Sequence, residues 1–185
     1  MTVRDIKLTL EDYAGFPDDG KRHEIIDGDH YVTPAPSVRH QAISRNLTVL
    51  IGSFLGQRSL GKLFAAPCDV YLSRFDVVQP DLVFVSNSGS ATVTDDNIQG
   101  PPDLVIEILS PGTRKTDERT KRDQYARFGV REYWIVDPEL ETIKVLRLGE
   151  TGYEPPQEVA LERGQSLASP QLPGLELALD HVFAD

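Results

Sequence analysis

The sequence holds one cysteine, no long apolar run and too few basic side chains to balance its acids, and each shortage removes a class of function. Cys68 is alone among 185 residues, so neither an intrachain disulfide framework nor a multi-cysteine metal site is available. The four histidines, His23, His30, His40 and His181, follow no regular ligand spacing. A metal in this chain would be held by oxygen, which points to magnesium, manganese or calcium rather than structural zinc. The longest apolar runs, Leu63 to Ala66, Leu82 to Val85 and Tyr133 to Val136, fall far short of the roughly 20 residues that cross a bilayer. Met1 to Leu10 carries no apolar stretch or cleavage pattern of a signal peptide, so no membrane partner and a cytoplasmic location are expected.

Basic residues number 19 against 29 acidic ones, a net charge of −10. That balance disfavours loose binding to nucleic acid, which depends on Lys and Arg neutralising phosphates. It leaves room for a metal site, since carboxylates gathered around a cation raise the acidic count. With 39% hydrophobic and 26% charged residues, the chain has the composition of an ordinary globular protein. Its length suits one compact domain over residues 1–185.

Thr9-Leu-Glu-Asp12 predicts a helix start with Thr9 as cap, cut short by Gly15, Pro17 and Gly20. His23 to Ile26 and Tyr31-Val32 flank Asp27-Gly28, a hairpin signal. After the Pro34-Ala-Pro36-Ser37 break, Ile43, Leu47, Leu50, Ile51, Phe54 and Leu55 recur at helical spacing. Short strands are predicted at Leu63 to Ala66 and Asp69 to Leu72, an all-apolar strand at Leu82 to Val85, and another at Leu104 to Leu109. A helix follows from Thr116 or Asp117 to Phe128, with Gly129 as its stop. Glu132 to Asp137 and Thr142 to Leu148 form a hairpin around Pro138. The Pro- and Gly-rich tail from Tyr153 predicts one strand near Val159 and a last turn at Leu179 to Phe183. The pattern is an α/β fold with a central mixed β-sheet and helices on both faces.

Two of the apolar strands each present one acid. Asp81 follows Pro80 at the mouth of Leu82 to Val85, and Glu107 interrupts Leu104-Val-Ile106 and Ile108-Leu109. A carboxylate inside an apolar strand is costly unless paired, and two close together repel. A divalent cation removes both difficulties. The competing readings are a turn residue for Asp81 and a solvent-facing edge-strand residue for Glu107.

Val78-Gln-Pro-Asp81, Pro102-Asp-Leu-Val-Ile-Glu107-Ile-Leu-Ser-Pro111, Asp117 with Lys121 and Tyr125, and Gly129-Val-Arg-Glu-Tyr-Trp-Ile-Val-Asp137 together resemble the bacterial Uma-type family of restriction-endonuclease-like proteins. That family lies within the PD-(D/E)XK nuclease superfamily, and the resemblance runs from about Leu8 to Tyr153. It implies a restriction-endonuclease-like fold and a metal-dependent endonuclease acting on nucleic acid, DNA above all. The superfamily pattern places Glu-x-Lys on the second strand, but here Leu109 stands where the lysine is expected. The resemblance gives that role to Lys121, whose four-residue spacing from Asp117 and Tyr125 puts all three on one helix face. The alternative for Lys121 is a solvated pair with Asp117 on an exposed helix.

Glu24, in His23-Glu-Ile-Ile-Asp-Gly28, matches the family's early acidic position and is expected to complete the metal shell; otherwise it is a solvent-facing strand residue. His40 also stands at a family position, either contacting phosphate or orienting a ligand, or simply hydrogen-bonded as a structural residue. Asp69 is a weaker acid candidate. The expected centre is Mg²⁺, or Mn²⁺, held by Asp81, Glu107, Glu24 and the Ile108 carbonyl, with Lys121 placing the attacking water and Asp117 and Tyr125 in support. A homodimer is the expected assembly for an enzyme that cuts both strands. Two rivals stand beside this: an inactive binding or assembly module of the same fold, favoured by Leu109 and the −10 charge, and a phosphodiesterase acting on small or single-stranded substrates.

Overall fold

The computed structural model describes residues 6–185. Its largest sheet has seven strands in the order Gly152–Tyr153, Thr142–Gly149, Glu132–Asp137, Leu104–Ile108, Leu82–Ser86 and Gly61–Ala65, with Gln157–Ala160 also paired to Thr142–Gly149. Leu104–Ile108 and Glu132–Asp137 run parallel while their outer neighbours are antiparallel, so the sheet is mixed as expected.

Alternation along the central strands divides the core in two. Leu82, Phe84, Leu104, Ile106, Ile108, Trp134 and Val136 point to one face, where Ile43, Leu47, Ile51 and Leu55 of the helix Val38–Gly56 pack on them. Val83, Val85, Val105, Tyr133 and Ile135 point to the other, against Tyr125 of the helix Arg122–Phe128. Helices therefore cover both faces. The Ser37 hydroxyl caps the long helix by accepting from His40 N at 3.2 Å, satisfying one of the free donors of its first turn. Thr9 and Asp12 form the expected capping box over Leu10–Tyr13.

Three parts of the architecture depart from the sequence reading. A second, six-stranded sheet lies over the Tyr125 face, in the order Asp29–Thr33, Arg22–Ile26, Asp76–Val78, Val70–Ser73, Ile98–Gln99 and Thr92–Val93. It contains the predicted hairpin, whose turn has φ 51° at Asp27 and φ 83° at Gly28, the positive values that favour Asp-Gly there. The tail holds more than one strand: Ser166–Ser169 and Leu172–Ala178 form a separate hairpin, and Leu167, Leu172, Leu175 and Leu177 join the long-helix core. The predicted helix after Pro111 opens with a π-helical turn, Thr116–Lys121, before becoming α-helical at Arg122–Phe128. No helix among the described residues is long and apolar enough to cross a membrane.

Candidate active site

Strand parity brings the two acids together. Leu82 pairs with Ile106 and Val83 with Val105 across antiparallel strands, and the same register continued by one residue sets Asp81 opposite Glu107. Both then share the face of Val83 and Val105, looking toward the second sheet. Glu107 lies on a strand flanked on both sides by others and is 3% exposed, so the edge-strand reading does not hold. Asp81 is likewise buried, and it is no mere turn residue.

Three donors hold Asp81. Arg22 Nη1 donates to Oδ1 at 2.7 Å, Ile108 N donates to Oδ2 at 2.8 Å, and His40 Nε2 lies 3.0 Å from Oδ2. Facing a carboxylate, Nε2 is the ring nitrogen that carries the proton. Burial alone would raise the Asp81 carboxyl, but His40, Arg22 and the Ile108 amide outweigh it and hold it below the ordinary carboxylate range.

Glu107 is held differently. Lys121 Nζ and the Tyr125 hydroxyl both donate to its Oε1, each at 2.9 Å. Lys121 Nζ also lies 2.9 Å from Glu24 Oε1 and 3.7 Å from Asp117 Oδ1, and Gln79 N donates to Glu24 Oε1 at 2.8 Å. Asp117, Lys121, Tyr125 and Glu24 are all buried, so the solvated-pair reading of Lys121 and the solvent-facing reading of Glu24 both fail. The π-helical turn carries Asp117 and Lys121 inward together, with the Tyr133 hydroxyl donating to the Asp117 carbonyl at 3.2 Å; such turns recur at functional sites.

Four carboxyls thus surround two fixed cations, Lys121 and Arg22. The consequence is visible in Glu107, which burial pushes up to about 8, with Lys121 opposing and Asp117, Asp81 and Glu24 adding to the shift. Burial also raises Asp117, whose Oδ1 is buried without a hydrogen-bond donor. Lys121 goes the other way from what burial demands: Glu107, Glu24 and Asp117 together drive it well above the usual amine range.

A divalent cation fits this surplus of negative oxygen. No three His, Cys, Asp or Glu side chains among the described residues form a ready cage, and Mg²⁺ needs none, since it is commonly bound through one or two carboxylates with water and substrate phosphate completing the shell.

Of the residues singled out by sequence, Asp81, Glu107, Lys121, Glu24, His40, Asp117, Tyr125 and Ile108 all meet here, though Ile108 contacts Asp81 through its amide. Asp69 does not: it accepts from the Tyr13 hydroxyl and Gln79 Nε2 on the second sheet. Arg22 was missed. Its signal is the alternation Arg22, Glu24 along Arg22–Ile26, which puts both side chains on one face.

The site opens into a cavity of about 460 Å³. Glu24, Asp81, Glu107, Asp117 and Lys121 line its inner part, and the segments Pro34 to Ser37 and Ser110 to Arg114 form walls.

The sequence model of the Uma2 family, described as "putative restriction endonuclease", matches residues 10–180. The chain belongs to this family. No curated protein matches it. Among solved structures it is similar to a "putative nuclease belonging to DUF820" from Anabaena variabilis ATCC 29413, at 21% identity and a TM-score of 0.80, covering 96% of this chain and 98% of that one. That likeness shows a shared mixed α/β fold, and the family match spans the motif run from Asp81 to Asp137 read in the sequence.

Proposed function

We propose that the chain hydrolyses phosphodiester bonds in nucleic acid, with DNA as the substrate, using Mg²⁺ or Mn²⁺ held by Asp81 and Glu107. Glu24 and the Ile108 carbonyl complete the protein's share of the ligands. The observation that carries the reading is the Lys121 amine, 2.9 Å from Glu107 Oε1, on a strand pair where Asp81 stands opposite. Lys121, on the following helix, would thereby supply the basic group that Leu109, packed in the core, does not.

When bound, the cation supplies Lewis-acid polarisation of the scissile phosphate. Lys121, kept protonated by its three acids, stabilises negative charge growing on the phosphoryl oxygens and orients the attacking water; it does not act as a base. His40 and Arg22 fix the Asp81 carboxylate, and Tyr125 fixes that of Glu107, so both present one orientation to the ligand. The oxygen of water adds to phosphorus as the opposite bridging P–O bond breaks with its electron pair; the water's proton passes to bulk solvent, and the leaving oxygen takes one proton from bulk solvent in return.

Titration calorimetry with Mn²⁺ tests the reading, together with cleavage of labelled DNA. Binding that Asp81→Ala abolishes, with cleavage dependent on Lys121, is the expected result. One observation favours the inactive-module reading: both oxygens of Asp81 are already taken by protein donors. Absence of metal binding would establish it instead.

A further inference from the structure

The strand state of the substrate follows from how the site is enclosed. Asp81, Glu107, Asp117, Lys121 and Glu24 are each no more than 4% exposed, so a scissile phosphate must enter the cavity to reach them. The lining outside these acids and their lysine is uncharged for most of its extent, with Pro34, Ala35 and Pro36 from one segment, Pro111 and Gly112 from another, and Pro138 from a third. The volume, about 460 Å³, is in the range of pockets that take one small ligand.

The charges at the mouth point the same way. Four basic residues line the cavity, and each is already ion-paired: Arg22 with Asp81, Arg39 with Glu141 and Asp185, Arg114 with Asp137 and Glu139, and Lys121 with its three acids. Duplex DNA carries a negative charge about every 1.7 Å of axis and is gripped by unengaged Lys and Arg. None of the cavity's cations is free for that, and the chain's net charge is −10. Val38 and Leu140, next in sequence to the Arg39–Glu141 pair, are 88% and 65% exposed, which sets apolar side chains rather than cations beside it.

We infer that the cavity takes one unpaired nucleotide of a single strand, its base against the proline walls and its phosphate at Asp81 and Glu107, and that it excludes intact duplex. The inference rests on the nuclease reading and narrows its substrate. An unpaired nucleotide can turn its base into a pocket without breaking pairs or stacks, whereas each base extracted from duplex costs a few kcal/mol. Apolar side chains are adequate to hold such a base.

The test uses the full chain with Mn²⁺ and three labelled substrates: a single strand, the same strand in perfect duplex, and that duplex with one unpaired nucleotide. The single strand and the unpaired site are expected to be cut, and the perfect duplex left whole. Ala35→Trp and Gly112→Trp each add bulk to a lining segment of the cavity. Both positions are exposed, and a Cβ on Gly112 meets nothing nearer than the Ser110 hydroxyl at 4.0 Å, so folding should survive. Each is expected to slow single-strand cleavage by about tenfold or more while Mn²⁺ binding by calorimetry stays unchanged. Duplex cut as fast as single strand, or wall variants without effect, would overturn the inference. If nothing is cut and no Mn²⁺ binds, the nuclease reading has failed, and fluorescence anisotropy with the same single strand and duplex then decides the inference alone. Preference for the single strand that Ala35→Trp removes sustains it; equal or absent binding ends it.

Discussion

Lys121 and Glu107 meet at 2.9 Å although the helix that carries the one and the strand that carries the other are separated by a turn through Pro111 and Gly112. The lysine is the only fixed cation on Glu107, Glu24 and Asp117 among the described residues, and all four are buried.

Removing that amine should therefore be expensive. Lys121→Ala leaves buried carboxylates uncompensated and is expected to lower unfolding free energy by roughly 3–5 kcal/mol. Urea denaturation measures it. Pairing Lys121→Met with Glu107→Gln should cost clearly less than the two single changes added together, because neighbours in one network are not additive. A single-variant cost under about 1 kcal/mol would mean the pair is screened as surface pairs are, contrary to its burial.

In the proposed metal centre, His40 would act on the cation through Asp81, 3.0 Å from its Nε2. His40→Ala is expected to weaken Mn²⁺ binding by about 10- to 100-fold, the range typical when a group that orients a ligand is lost. Calorimetry reads this directly, and an affinity equal to wild type would reduce His40 to a packing residue of the long helix.

Glu107 gives the metal-free protein a pH dependence of definite sign. Its folded pKa is raised to about 8 from an ordinary 4.5, with burial the largest cause. Between those values the folded state keeps a proton that the unfolded chain has released, so stability falls as pH rises through the window. Melting temperature without divalent cations should drop by some degrees from pH 5 to pH 8. Glu107→Gln should flatten the slope. A wild-type melting temperature that climbs over the same range, relative to that variant, would contradict the burial of Glu107.

The tail hairpin belongs to the core rather than to a loose appendage. Leu177 is 2% exposed within the long-helix cluster, and Leu177→Ala is expected to destabilise by about 2–5 kcal/mol. Chemical denaturation checks this, with Mn²⁺ affinity unchanged in the folded variant.

Much of the site was legible because its two acids obey the period of a strand. Asp81 at the mouth of one apolar run and Glu107 inside another stand out against their neighbours, and Lys121 came from the family resemblance, with its spacing from Asp117 and Tyr125 placing all three on one helix face. Arg22 escaped because its partner is 59 residues away, and its one local signal, the shared face with Glu24, counts only once Glu24 is known to be buried. The second sheet escaped for a different reason. Asp76–Val78, Thr92–Val93 and Ile98–Gln99 are two or three residues long, too short to establish alternation. In the tail hairpin, Pro173 and Gly174 interrupt the buried positions Leu172, Leu175 and Leu177, and a register shift at Ala168/Ser169 blurs the partner strand. There, composition read as loop while the pairing was made by tertiary contact.

The π-helical turn Thr116–Lys121 has one more consequence, for how this chain can change over time. A π turn amounts to an extra residue accommodated within an α-helix. Exposed side chains such as Arg119 can therefore be exchanged freely, but losing a residue between Asp117 and Lys121 would change the spacing that sets both of them beside Glu107. The segment tolerates exchange at such exposed positions but not at Asp117 or Lys121, and its length is as much a part of the site as those two side chains, because both together keep Lys121 on Glu107.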